Sequence, residues 1–428
     1  MPFFNYYNYN KNFFINCFIA IIPLSLILGN LATNINIILI ILLGLSMFGK
    51  NTFIINEKIY SYLIFFFFVY LIFTTIFNNW PFLDNDDIYK ENLIKSLSYL
   101  RFLVFFLVIN KLIERGEFNI KLFLTSCAFF SLIISLDITI QFFFKTNILG
   151  LNFNSNKPSS FFGNEQIAGG FLQKFSLIFI FFILSKKKFK NENFFLILLF
   201  LIFLLPIIFT GNRMPMIIYI MSIFLYFIVE KKLKEIFITF LICFIIIFSF
   251  VKIPLNQRLQ IDLRVFFIES VKIIKQAPRL FLYNEGESVQ FGSTGYLIHF
   301  NTGVQIWKKN MVFGHGLKSF KLNCSYENFQ TCNTHPHNYF IELLVDTGLI
   351  GIVVIYTMFF VSLKNFIKFY YTQNKKIKLI SIVFFLLLFF EFFPIRSTGS
   401  FFTTNNSTFI FLIFAIFLNL KNLRNHIK

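Results

Sequence analysis

Apolar segments of about 18 or more residues recur along nearly the whole chain, and no other feature limits its folding so strongly. Residues 59–78 read IYSYLIFFFFVYLIFTTIFN and residues 193–210 read NFFLILLFLIFLLPIIFT. In lipid a backbone must satisfy its own N–H and C=O groups, so runs like these cross as helices. A soluble domain could not hide this much Phe and Ile, since 57% of the chain is hydrophobic and only 14% charged. The expected fold is all-α, a polytopic membrane protein with about twelve transmembrane helices and one large loop. The helices are placed near 12–30, 33–48, 59–78, 95–113, 119–144, 167–185, 193–210, 213–230, 234–252, 338–364, 376–393 and 406–420. The first lacks a small-residue cleavage site and is read as a retained helix rather than a signal peptide.

The division that follows is nine helices over 1–252, a loop over 253–337 and three helices over 338–428. Lysine placement orients them. With a cytoplasmic N-terminus, SKKKFK (185–190), EKKLKE (230–235), Lys364 to Lys378 and the tail with Lys421, Arg424 and Lys428 all fall inside. The acidic NWPFLDNDDIYKEN (79–92) and the 253–337 loop fall outside, in the periplasm of a bacterium. The 70 phenylalanines, with abundant Ile, Lys and Asn, have the look of AT-rich coding sequence, so the +19 net charge is partly compositional. It marks no folded basic domain, and no nucleic-acid partner is expected.

The rare residues gather in the outer loop. His299, His315, His335 and His337, four of five histidines, lie in it or at its edge, as do Cys324 and Cys332. An oxidising compartment permits a disulfide between these two, stapling the strap before His335; the alternative is two free thiols. Cys17, Cys127 and Cys243 lie in apolar runs and read as core residues. No short Cys-x-x-Cys pair supports a zinc site, so no metal is expected. Asp84, Asp86 and Asp87 could hold a hard cation, but a solvated acidic loop is the simpler reading.

CNTHPHNYFIELLVDTGLIG (332–351) joins loop to membrane. Pro336 and Asn338 mark a helix start. Gly348 and Gly351 follow His337 by eleven and fourteen residues. At about 100° per residue both fall within roughly 20–40° of its direction. The expectation is one face with an imidazole on top and two gaps below, where a second helix approaches, while Glu342 and Asp346 point elsewhere. An imidazole at a helix N-terminus tends to be neutral, as a general base requires. A helix-start histidine satisfied by a carbonyl would look the same.

This stretch resembles the His-Asn-x9-Gly-x-x-Gly signature of the O-antigen ligase and polymerase-like membrane family. VFGHGLKSF (312–320), with Gly314 and Gly316, is similar to the family's Gly-x-Gly turn. FTGNRMP (209–215), KPSSFFGNEQIAGGFL (157–172) and LDITIQFFFKTNILG (136–150) resemble further family segments, so the likeness spans residues 130–355. It implies transfer of a glycan from an undecaprenyl-pyrophosphate carrier to an acceptor hydroxyl on the periplasmic face, without metal or cofactor. The acceptor is lipid A core in ligases and a second lipid-linked repeat in polymerases. His337 would act on the hydroxyl and Arg213 would clamp the pyrophosphate, a fork suited to phosphate oxygens. Arg213 could otherwise be an interface anchor.

Further substrate contacts are expected from Asn338, Arg101, Lys157, Glu165, His299 and Arg396. Arg101 is a deep cation that could serve the pyrophosphate or pair with Asp137. Lys157 stands where the family tends to carry arginine. Glu165 opens a helix and could be a cap or a substrate contact. Arg396 lies in a polar outer turn. The loop upstream of the Gly-x-Gly turn has Tyr296 and His299 where ligases often carry arginine; His299 or Arg279 would have to replace it. Asn212 also stands where some relatives carry an acid. A non-enzymatic flippase for lipid-linked glycan is the competing class, although a flippase would be expected to set its charges in a central cavity between symmetric halves.

Overall fold

The structure is a computed structural model and describes residues 2–55, 58–79, 87–150, 157–163, 165–186, 189–252, 295–326, 332–394, 396–397 and 399–427. Arg279, Asp84 and Asp86 lie outside these residues, as do the side chains of Asp87 and Tyr296. Among the described residues there is no β-strand. The α-helices are α1 (Pro2–Ala20), α2 (Ile22–Leu28), α3 (Asn30–Phe48), α4 (Lys58–Asn79), α5 (Asp87–Glu114), α6 (Ile120–Phe144), α7 (Ala168–Lys186) and α8 (Glu192–Phe209). They continue with α9 (Arg213–Val229), α10 (Leu233–Lys252), α11 (Gly295–Lys309), α12 (Phe320–Tyr326), α13 (Tyr339–Tyr370), α14 (Lys375–Glu391), α15 (Thr404–Leu418) and α16 (Leu420–Ile427).

Each of the twelve expected segments holds a helix, but fewer are long and apolar enough to span. Seven qualify among the described residues, and an eighth if α1 and α2 form one span bent by 45°. The bend follows Ile21, with a proline at the start of α2. α9 and α15 are apolar but only 17 and 15 residues long. Composition counts apolar residues and misses where polar turns cut a helix short.

The protein is an integral membrane protein, and its surface shows why. Leu31, Leu42, Val69, Phe77 and Phe237 are mostly exposed, an arrangement tolerable only against lipid. α7 sits innermost, packed by α6, α8, α9 and α14. Phe102, Phe105, Phe106, Phe181, Phe200 and Phe203 are fully buried between helices. On the other side α5 packs against α3, α4 and α15, where Phe411 meets Phe68, Tyr99 and Phe102.

α13 is not continuous. Gly348 adopts φ 60°, ψ −164°, which breaks the ladder and frees backbone groups on both sides. The 311–316 segment takes them up: His315 N donates to Val345 O (2.8 Å), Gly316 N to Asp346 O (2.9 Å), Leu349 N to Met311 O (3.0 Å) and Ile350 N to Val312 O (3.3 Å). The Tyr70 hydroxyl stands 2.8 Å from Phe313 O and 3.1 Å from Thr347 O. A Cβ on Gly314 would lie 2.7 Å from Asp346 O, one on Gly316 2.7 Å from Thr75 Cα, and one on Gly348 would meet Val312 O. All three glycines have positive φ, so the interlock needs them twice over.

This corrects the expected helix face. His337 precedes the helix with φ 56°, so no helical projection relates it to Gly348 and Gly351. Gly348 admits a loop rather than a second helix, and the space above Gly351 is filled by Thr347 of the same helix. Glu342 and Asp346 are buried and used. Glu342 accepts from Phe401 N (2.6 Å) and Ser400 Oγ; Asp346 accepts from Lys318 N (2.7 Å), Ser319 N (3.2 Å) and Ser319 Oγ (3.0 Å). Cys324 and Cys332 are disulfide-bonded, Cα atoms 5.6 Å apart.

Candidate functional site

A cleft of about 980 Å³ opens where the start of α7, the α8–α9 turn, the 392–403 turn, α11 and the 332–338 strap converge. Close backbone approach builds it. A Cβ on Gly169 would lie 2.6 Å from Thr210 Oγ1 and 2.8 Å from Asn212, so α7 and the α8–α9 turn touch only because residue 169 is glycine. Gly211 turns at φ 65°, and the stem of Lys157 lies 3.2 Å from where its Cβ would be. The turn delivers Arg213 as the first residue of α9. Lys157, Glu165, Arg213, His299, His335, His337 and Arg396 all line this cleft. Its other wall is apolar, with Leu26, Phe171, Phe175, Ile218 and Phe409.

Three imidazoles form one edge. His337 lies 4.3 Å from His335 and 5.3 Å from His299 between ring centroids. Asn333 Nδ2 stands 2.9 Å from His337 Nε2 and 3.3 Å from His299 Nε2. One NH₂ group has two hydrogens, so both Nε2 atoms serve as acceptors in this arrangement. His335 is held by Thr334 Oγ1 at its Nδ1 (2.9 Å), and burial, then the charges of His337, His299 and Lys318, lower its pKa to about 4. Burial also lowers that of His299. His299 Nδ1 and His335 Nε2 are buried without a hydrogen-bond partner.

The cations opposite are not all displayed to solvent. Lys174 Nζ lies 2.9 Å from Glu391 Oε1 and Arg396 NH1 lies 2.9 Å from Glu391 Oε2, with all three side chains nearly buried. The second is a charge contact, because the Arg396 N–H itself is aimed at Phe390 O (3.0 Å). Lys174 also sits 4.3 Å over the Phe409 ring and Arg396 5.5 Å over Tyr339. One carboxylate thus holds two cations in the cleft wall. Neither Lys174 nor Glu391 was expected at the site. The sign was available: a lone Lys and a lone Glu in separate apolar helices are expensive unless paired.

Other expected contacts fall elsewhere. Asn338 is outside the cleft lining and is used at both ends. Its Oδ1 accepts from Ile341 N (2.9 Å), capping α13, and its Nδ2 donates to Pro394 O (2.7 Å) and Arg396 O (3.0 Å). It ties the Arg396 turn to the residue next to His337. Arg101 is also outside the lining and does not pair with Asp137. Asp137 instead accepts from Ser160 Oγ and Ile148 N (both 2.7 Å), while Gln141 Oε1 accepts from Ser160 N (2.8 Å). The pair therefore pins the segment entering α7. Glu165 is exposed and lies ahead of α7, which begins at Ala168, so it is not in the first turn. Among the described residues no group of three or more His, Cys, Asp and Glu is placed to hold a metal ion.

A helical membrane bundle with a half-apolar cleft, rimmed by imidazoles and basic groups, is suited to an amphiphile with an anionic head. The family model described as O-antigen ligase matches residues 195–356, from α8 into α13. The chain is O-antigen ligase-like over that stretch, which carries Arg213, His299 and His337, and the family performs ligase- or polymerase-like glycan processing. Lys157, Lys174 and Arg396 lie outside the matched residues. No curated protein matches the chain.

Proposed function

We propose that the protein is a glycan transferase, moving a saccharide from undecaprenyl-pyrophosphate to an acceptor hydroxyl. The acceptor oxygen attacks the anomeric carbon, the bond from that carbon to the pyrophosphate oxygen breaks, and the hydroxyl proton passes to His337. Asn333 marks the receiving lone pair on Nε2 in the free protein. The departing diphosphate needs no proton where Arg213 and Lys157, backed by Arg396 and Lys174, hold its charge. The apolar wall takes the first isoprene units. The observation that carries this reading is that His337 and Arg213, far apart in sequence, line one cleft with Lys157 and Arg396.

The setting that fits is the bacterial inner membrane, termini in the cytoplasm and the cleft facing the periplasm, where a 324–332 disulfide persists. The ligase form uses lipid A core as acceptor, the polymerase form a second lipid-linked repeat. A deletion strain separates them: a polymerase defect leaves single repeats on the lipid A core, a ligase defect leaves long chains on the carrier. His337→Ala should abolish surface glycan while the protein still inserts; unchanged surface glycan would remove the proposal.

A further inference from the structure

Arg101 and three lysines form a second basic cluster, joined to the cleft through the 400–404 turn. Ser400 and Thr403 line the cleft, and Thr404 Oγ1 is 3.4 Å from Arg101 NH2. Arg101 NH1 donates to Ser98 O (2.9 Å) and the guanidinium lies 4.6 Å over Phe102, yet its Nε is buried with no hydrogen-bond partner. Lys318 is set by its backbone: φ is 56° and its N–H is fixed on Asp346. Burial lowers its proton affinity first, with Lys95 and Arg101 acting the same way against Glu342 and Asp346. A Cβ on Gly303 would lie 3.2 Å from Pro336 and 3.7 Å from Phe320, so the 318–321 segment and the imidazole strap meet over one face of α11. Lys321 and Lys95 complete the cluster around Glu91, with Lys95 paired to that carboxylate at 2.7 Å.

The nearby carboxylates are already engaged. Glu342 takes Ser400 and Phe401, Asp346 takes Lys318 N and Ser319, and Glu91 takes Lys95. A half-buried arginine with an idle N–H, beside a mostly buried lysine whose Nζ makes no hydrogen bond among the described residues, is costly unless something anionic docks there. A guanidinium and ammonium groups together suit a phosphate monoester better than a sugar hydroxyl.

We propose that Arg101, Lys318, Lys95 and Lys321 bind a phosphate on the headgroup of the acceptor amphiphile. Donor diphosphate and acceptor phosphate then flank the imidazoles from two sides. The acceptor role rests on the transferase reading; the anion site itself does not.

Equilibrium binding of dihexanoyl phosphatidic acid to the full-length protein in detergent tests it, with dihexanoyl phosphatidylcholine and inorganic phosphate as competitors. Two sites are expected. Arg101→Gln with Lys318→Gln should weaken one at least tenfold, and Arg213→Gln with Lys157→Gln the other. Arg101→Lys with Lys318→Arg should keep both. If the neutral pair fails to fold, Lys95→Gln with Lys321→Gln should weaken the same site at least threefold. Loss of the Arg213–Lys157 site alone counts against the donor cleft instead. A wild type with no site that the Arg101→Gln, Lys318→Gln pair weakens, or a folded neutral variant that binds at full strength, overturns the proposal. So does equal competition by phosphatidylcholine, which would mean ordinary bilayer anchoring, or by inorganic phosphate, which would mean a free-anion site. No turnover is measured, so this result is separate from whether His337→Ala abolishes transfer.

Discussion

Glu391→Gln asks how the cleft keeps two cations in its wall. The carboxylate lies 2.9 Å from both Lys174 Nζ and Arg396 NH1. At an effective permittivity of about 20, each contact is worth roughly 6 kcal/mol of attraction. Part of that is offset by repulsion between the cations and by the cost of burying the carboxylate, several kcal/mol for an ion. Removing one member of a buried ionic group typically costs about 3–5 kcal/mol, and that loss is expected here. Cys127 and Cys243 are buried, so a thiol-reactive dye follows thermal unfolding in detergent. If the cleft receives a diphosphate, inorganic pyrophosphate should stabilise Glu391→Gln more than the wild type, since bound ligand adds RT ln(1 + [L]/Kd) and the variant has two unneutralised cations to offer. A stability change below about 1 kcal/mol, against the handful expected for such a break, would refute the argument. Equal pyrophosphate stabilisation of both proteins would refute its second half.

Gly348→Ala should lose about 2–4 kcal/mol or fail to insert, because it combines a forbidden φ with a clash at Val312 O; the same dye assay reads it. Cys324→Ser should cost about 2–3 kcal/mol by the loop-closure model, with hydrogen exchange rising in the strap before the imidazoles. His335 is held neutral, with its pKa lowered to about 4. The unfolded chain binds more protons from about pH 6.5 downward, so this group's contribution is full above that pH and is lost as pH falls towards 4. His335→Asn should flatten the acid limb of a stability–pH curve, and an unchanged slope would count against a buried neutral imidazole. Arg213→Lys should raise the KM for donor about tenfold or more, since a point charge does not reproduce the fork.

Hydropathy made the helices legible, because lipid leaves the backbone no other option. Of the twelve segments it marks, seven or eight are helices long and apolar enough to cross among the described residues, and α9 and α15 are shorter because they begin at turns that build the cleft. His299 and His337 are readable as rare polar groups in an apolar chain, Arg213 and Arg396 as cations in outer turns and Lys157 only through the family resemblance, although their convergence is a tertiary fact. The Gly348 break was not readable: ideal periodicity carried His337, Gly348 and Gly351 onto one face, and an inserted loop abolished that geometry. Arg101 is readable as a costly cation with Lys95 on the same helix, but Lys318 and Lys321 come from a distant segment that no local pattern links to it. Asn338 is legible as the helix cap that it is, while its second bond set, to Pro394 O and Arg396 O, depends on a turn more than fifty residues away.

The most direct test is the rate of saccharide transfer from a purified undecaprenyl-pyrophosphate donor by the wild type and by His337→Ala, with donor binding measured alongside. A proton acceptor in the cleft predicts a fall of about 10²–10⁴ in rate with donor affinity within threefold of the wild type. Transfer by His337→Ala at more than about a third of the wild-type rate, far above a general base's share, would contradict the account.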